Sequence, residues 1–237
     1  MAAPASSNIS NLEGRWLMVS FLCFFSSSFY PCHAIHVYSN SPVHQTPQLT
    51  ITSPHHQNHT LSDSIEPGLS LQGISFLLRK TITLASVTLE IKQFTAPPKA
   101  PNTSTDPVTH IDIQQIATAG LKGTREERCL DNTFRPHSDW IFGSVRGQSR
   151  WISLEEVEDE FLKKGWTIDD AEEAGPEGKK HVLSHVESVD NGWTATQIWG
   201  FQEVKGERRY VRNIVIKKGD KRVDMRLVYD YLGPLDA

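Results

Sequence analysis

The closing segment "KRVDMRLVYDYL" alternates without a break. Val223, Met225, Leu227, Tyr229 and Tyr231 fall on one side; Arg222, Asp224, Arg226 and Asp230 fall on the other. A period of two forces an extended strand with one face to water and one to an apolar interior. The pattern recurs upstream. "SVTLEIKQF" sets Val87, Leu89 and Ile91 on one face, and "THIDIQQIAT" sets Ile111, Ile113 and Ala117 opposite His110, Asp112 and Gln114. "GTREERCL", "DWIFGSVRGQSRW" and "HVLSHVESV" continue it, and "GWTATQIWGFQEVKGERRYVRNIVI" folds back at Lys205 and Gly206 as a hairpin. Eight or nine consecutive strands joined by short turns have a surplus of edges to hide. A meander that closes into a barrel hides them.

Three segments break the period. "LSDSIEPGLSLQG" carries Leu61, Ile65 and Leu69 at helical spacing, and "ISFLLRKTITLA" follows Gly73 as a second short helix. "SLEEVEDEFLKKGW" reads as a third, from Ser153 as N-cap with Glu156 as its capping-box partner to a stop at Gly165, with Leu154, Val157 and Phe161 as its stripe. The expected fold class is therefore mainly β: an antiparallel up-and-down barrel with a helix-turn-helix lid and one inserted helix.

One stretch obeys no such rule. From Trp16 to Ser62 there is no Asp, Glu, Lys or Arg, and six of the ten histidines lie inside. Its apolar run, Leu17 to Phe25, is too short for a membrane helix of about 20 residues. A secretion signal with Arg15 ahead of it and Ala34 at the cleavage point is one reading. A translated intron is the other that fits: Val19-Ser20 can be encoded GTGAGT and Gln57 CAG, and the residues between favour pyrimidine-rich codons. On that reading residues 1–18 hold the first strand, 19–57 are a non-native, disordered insert, and 58–237 hold the lid helices and the rest of the barrel. A native disordered insert is the third possibility.

The bulk numbers exclude several functions. A net charge of −4 argues against a nucleic-acid binder. Cys23, Cys32 and Cys129 form neither a zinc motif nor a disulfide framework. The phosphate-loop, nucleophile-elbow, zinc-protease and dinucleotide fingerprints are missing. No cofactor and no metal site are expected; His181 and His185 share a strand face, about 13 Å apart at ordinary strand rise.

"GRWLM", the two short helices with "LQGISFLLRK", and consecutive strands ending in "RLVYDY" resemble the fatty-acid-binding-protein branch of the calycin (lipocalin-like) superfamily. With Val19 to Gln57 removed, Gly14, Trp16, Gly73, Phe76 and Arg79 fall at nearly that family's intervals. The resemblance implies a barrel around a cavity for a fatty acid or similar apolar molecule. That family ends on an R-x-Y that grips a carboxylate; here the matching position reads Leu227-Val228-Tyr229, and Arg226 points outward by parity.

Arg212 shares a face with Tyr210, Ile214 and Ile216. Inside a barrel its guanidinium needs a partner. That partner is either a ligand oxygen or an internal acid. Tyr229 is a hydrogen-bond donor to ligand or a core aromatic. Trp199, Phe201, Tyr210 and Trp140 are candidate cavity walls, and core packing is the competing use of each. No nucleophile–base pair is visible, so no catalytic residue is assigned. The expected function is non-catalytic carriage of a hydrophobic small molecule by a cytoplasmic monomer (secreted, if the signal reading holds). The alternative is a cyclase or isomerase on the same scaffold, with Arg212 and Tyr229 polarising a carbonyl.

Overall fold

The computed structural model describes residues 1–19, 61–167 and 173–235. The intron, signal and insert readings of 19–57 lie, beyond Val19, outside the described residues. Ten strands form one antiparallel sheet. They are β1 (Gly14–Met18), β2 (Val87–Ala96), β3 (Val108–Ala117), β4 (Arg125–Cys129), β5 (Arg135–Asp139), β6 (Gly143–Ile152), β7 (His181–Ser188), β8 (Thr194–Val204), β9 (Glu207–Lys218) and β10 (Lys221–Gly233). Their spatial order, β4-β3-β2-β1-β10-β9-β8-β7-β6-β5, is a meander whose first and last strands pair. Trp16 lies opposite Tyr231 and Met18 opposite Tyr229. The fold is mainly β and up-and-down, a curled half-barrel whose edge strands are β4 and β5.

Strand parity decides what the barrel encloses. At one end the interior is solid. Trp16 is fully buried, its ring 5.4 Å from Tyr210 and 6.2 Å from Phe201. Its indole N–H donates to the Leu12 carbonyl at 3.0 Å, tying the N-terminal segment across the barrel bottom. Burying an aromatic of this size removes about 150–250 Å² from water, worth on the order of 5 kcal/mol at ~25 cal/mol per Å². The other end lies under two helices, α1 (Glu66–Leu71) and α2 (Phe76–Leu84). Arg79 pairs with Glu66 at 2.9 Å and donates to the Ile74 carbonyl, which clasps the two helices together. A Cβ at Gly68 would sit 2.2 Å from the Met225 methyl, so glycine is what lets α1 approach the barrel this closely.

Two expectations fail. The helix over Ser153–Gly165 is only a 3₁₀ turn, Leu154–Glu156, although its capping box forms, with the Ser153 N–H donating to Glu156 at 3.0 Å. That turn ends at an extended Val157, and the Asp159 carboxylate opens a separate turn by accepting the Phe161 and Leu162 N–H groups while pairing with Arg222 at 2.7 Å. Freed from helical spacing, Val157 and Leu162 are buried against Ile152, Ile198 and Val215 on the sheet's outer face.

That cover corrects the second expectation, of one wet face throughout. β9 is buried continuously from Arg209 to Ile216. The outward amide of Asn213 donates to the Phe161 and Lys164 carbonyls at 3.2 and 2.9 Å, so this buried group is paired.

Candidate active site

Between the solid end and the helices the barrel holds a cavity of about 590 Å³. That lies in the range of small-molecule sites, roughly 300–1,000 Å³. Its upper walls are apolar: Ile65 and Leu69 from α1, Ile214 and Ile216 from β9, Met225 and Leu227 from β10. These are the inward positions that alternation sets on one face of each strand.

Its floor is charged. Arg212 faces inward from β9, 5% exposed. Its guanidinium carbon lies 4.1 Å from the centroid of Trp199, its register partner on β8, and 5.4 and 5.5 Å from the rings of Tyr229 and Tyr210. Nε donates to the Tyr210 hydroxyl at 3.0 Å. Nη2 is buried with no hydrogen-bond partner. Burial disfavours the charge, yet Tyr210, Tyr229 and Glu126 hold the Arg212 pKa above its ordinary value. Burial likewise pushes both tyrosines up, keeping their hydroxyls protonated.

A second polar cluster stands on β3 and β4, at the other end of the sheet order. Glu126 faces inward from β4 and lines the cavity. Gln115 Nε2 donates to one of its oxygens at 2.6 Å; Arg128 donates to the other from Nη2 at 2.7 Å and Nε at 3.2 Å. Burial would raise the Glu126 pKa, but Arg128, and then Arg212, hold it below the usual carboxylate range. Of the three charged groups at this wall and floor, Arg128 and Arg212 are cations and Glu126 is the anion between them.

The six residues read from the sequence divide. Arg212 and Tyr229 line the cavity together. Trp199, Phe201 and Tyr210 do not line it: Arg212 lies across the indole, and the other two rings pack with Trp16 in the solid layer beneath. Trp140 is at the rim, 43% exposed, in the turn after β5 rather than in a strand. The Asp139 carboxylate builds that turn by accepting the Ile141 and Phe142 N–H groups at 2.8 and 2.7 Å.

Sequence reasoning missed Glu126, Arg128 and Gln115. The available signal was parity: Gln115 continues the Ile111–Ile113 face, and Glu126 and Arg128 alternate with the outward Arg125 and Glu127. Among the described residues no group of three His, Cys, Asp or Glu side chains could hold a metal ion, and no helix is long and apolar enough to cross a membrane.

No family model matches the chain. It is 34% identical over 179 residues to the protein named pericyclase pydY of Acremonium sp, covering 75% of this chain and 89% of that protein. It is 32% identical over 183 residues to the probable pericyclase scpY of Mollisia scopiformis, covering 76% and 88%. Among solved structures it matches As-p18, an extracellular fatty acid binding protein, with a TM-score of 0.38 and 11% identity over 72% of this chain and 89% of that one. The pericyclase names overturn the expectation of a carrier without catalytic activity. A missing nucleophile–base pair in the sequence is not a sign that catalysis is missing.

Proposed function

The chain belongs to the family of pericyclase pydY and the probable pericyclase scpY, and we propose that it catalyses a pericyclic ring closure of an apolar, conjugated small molecule in the barrel cavity. A pericyclic step is an isomerisation: bonds form and break in one cyclic array of electrons, with no acid, base, nucleophile or cofactor in the balance. Such a reaction asks two things of a protein. It must hold a flexible chain in the one conformation that brings the reacting carbons together, and it must stabilise the charge that shifts in the transition state.

The apolar walls from α1, β9 and β10 serve the first need. They draw a hydrocarbon chain out of water and leave it few shapes to adopt. Arg212 serves the second. A guanidinium N–H donated to a carbonyl conjugated with the reacting π-system withdraws electrons from it, and the pull grows as charge moves onto that oxygen. The donor is already oriented by Trp199 and Tyr210, so little reorganisation accompanies the reaction. Tyr229, protonated and beside it, is a second donor.

The observation that carries this reading is Arg212, a guanidinium that lines a cavity with apolar upper walls and whose hydrogen-bond partner is a tyrosine rather than a carboxylate. It is tested by incubating the full chain with a linear polyene bearing a carbonyl-activated alkene. A product of unchanged mass, formed faster than in buffer and as one diastereomer, is expected. Unaltered rate and product ratio contradict it.

A further inference from the structure

Glu126 is a carboxylate in the cavity wall that a hydrocarbon ring closure does not need. Its outward neighbours Arg125 and Glu127 pair with each other at 3.0 Å on the exposed side, as edge-strand charges do. Glu126 instead points inward with Arg128, where two apolar side chains would fill the space at less desolvation cost. Its oxygens accept one bond from Gln115 and two from Arg128, and a carboxylate offers about four lone-pair positions. Its side chain keeps 20% of its surface accessible, and that residue lines the void. Gln115 and Arg128 fix its direction, so one acceptor position is held ready on a wall separate from Arg212.

We propose that Glu126 is a second substrate contact, accepting a hydrogen bond from an N–H or O–H that neighbours the carbonyl held by Arg212. The substrate's polar end then carries an acceptor and a donor side by side, and the two walls together set which way round it enters. This rests on the pericyclase reading and on Arg212 as the carbonyl donor. A molecule with the carbonyl alone would leave the remaining acceptor position of Glu126 desolvated and unfilled, which is the stronger source of discrimination.

The probes are N-methyldodecanamide, which has a carbonyl and an N–H, and N,N-dimethyldodecanamide, which has the carbonyl only. Each is titrated into the full chain and followed by tryptophan fluorescence, for which Trp199 beneath Arg212 is a reporter. The wild type is expected to prefer the secondary amide about tenfold. Glu126→Leu alone leaves Arg128 unpaired, so the double variant E126L/R128M is compared as well; it is expected to bind both amides equally. R212M is expected to weaken both by a similar factor. Equal wild-type affinities, or a preference that survives in E126L/R128M, overturn the assignment to Glu126 and leave Arg212 standing. Failure of the wild type to bind either amide overturns both.

Discussion

The Arg212 guanidinium lies over Trp199, 4.1 Å from the ring centroid, and among the described residues no carboxylate shares a hydrogen bond with it. Its buried neighbours are the two tyrosines; Glu126, which acts on it electrostatically, is occupied by Arg128. A cation held this way is a cost to the fold that only ligand chemistry justifies. Replacing Arg212 with Met, apolar and of similar length, is expected to leave the thermal midpoint unchanged or raise it by a few degrees. A fall of more than about 5 °C would mark Arg212 as a structural member instead.

Turnover should be nearly independent of pH between about 5 and 9. Glu126 is held below the carboxylate range, Tyr210 and Tyr229 are pushed up by burial, and Arg212 is raised, so none of these four groups changes charge in that interval. A rate profile with a titration near neutrality would place an acid or base in the reaction.

Stability does depend on pH, through a residue far from the cavity. Burial lowers the His181 pKa from 6.5 to about 4 beneath Trp166, whose ring centroid is 5.1 Å away; Glu155 opposes the shift and Lys180 adds to it. Between those values the unfolded chain binds the proton and the folded chain does not, so stability is full above about pH 6.5 and is lost as pH falls toward 4. The loss is on the order of 3 kcal/mol, or roughly 10 °C in midpoint. In His181→Leu the melting temperature should be flat from pH 7 to 5; an unchanged slope would assign it elsewhere.

The strand that β1 begins passes from one segment to another at Val19 and Ser62. The Val19 N–H donates to the Val228 carbonyl at 2.9 Å, the Ser62 N–H donates to the Val19 carbonyl at 3.0 Å, and Asp63 continues along β10 against Arg226. We propose that residues 19–57 are dispensable for the fold. A chain in which Asn58 follows Met18 should melt cooperatively within a few degrees of the full chain and keep its turnover. Loss of cooperative melting would show that the segment is integral.

The strands were legible because alternation is a local signal: Met225, Leu227 and Tyr229 face the cavity as their spacing requires, and Arg212 with them. Trp199, Phe201 and Tyr210 carry the same parity, but depth along the barrel, which parity does not encode, separates the floor from the layer below. The segment after Ser153 was misread because the chain turns extended at Val157 and starts a new turn at Asp159, and nothing in the spacing of Leu154, Val157 and Phe161 reports that break. Glu126 was hidden by its setting: in "REERC" charges of both signs look like an exposed edge, and only pairing with β3 shows which of them point inward. The chemistry was least legible. A reaction that moves no proton and forms no bond to the protein has no nucleophile to betray it.

In the proposed reaction the oriented guanidinium of Arg212, on the cavity floor, lowers the barrier to ring closure. The most direct test is the single-turnover rate of cyclisation of a carbonyl-activated linear polyene by wild type and R212M, with product isomers resolved by chromatography. The account predicts a rate about 10²–10³ lower in R212M with the fold intact, because a preorganised donor has been removed from the developing negative charge. Equal rates in the two proteins would contradict it.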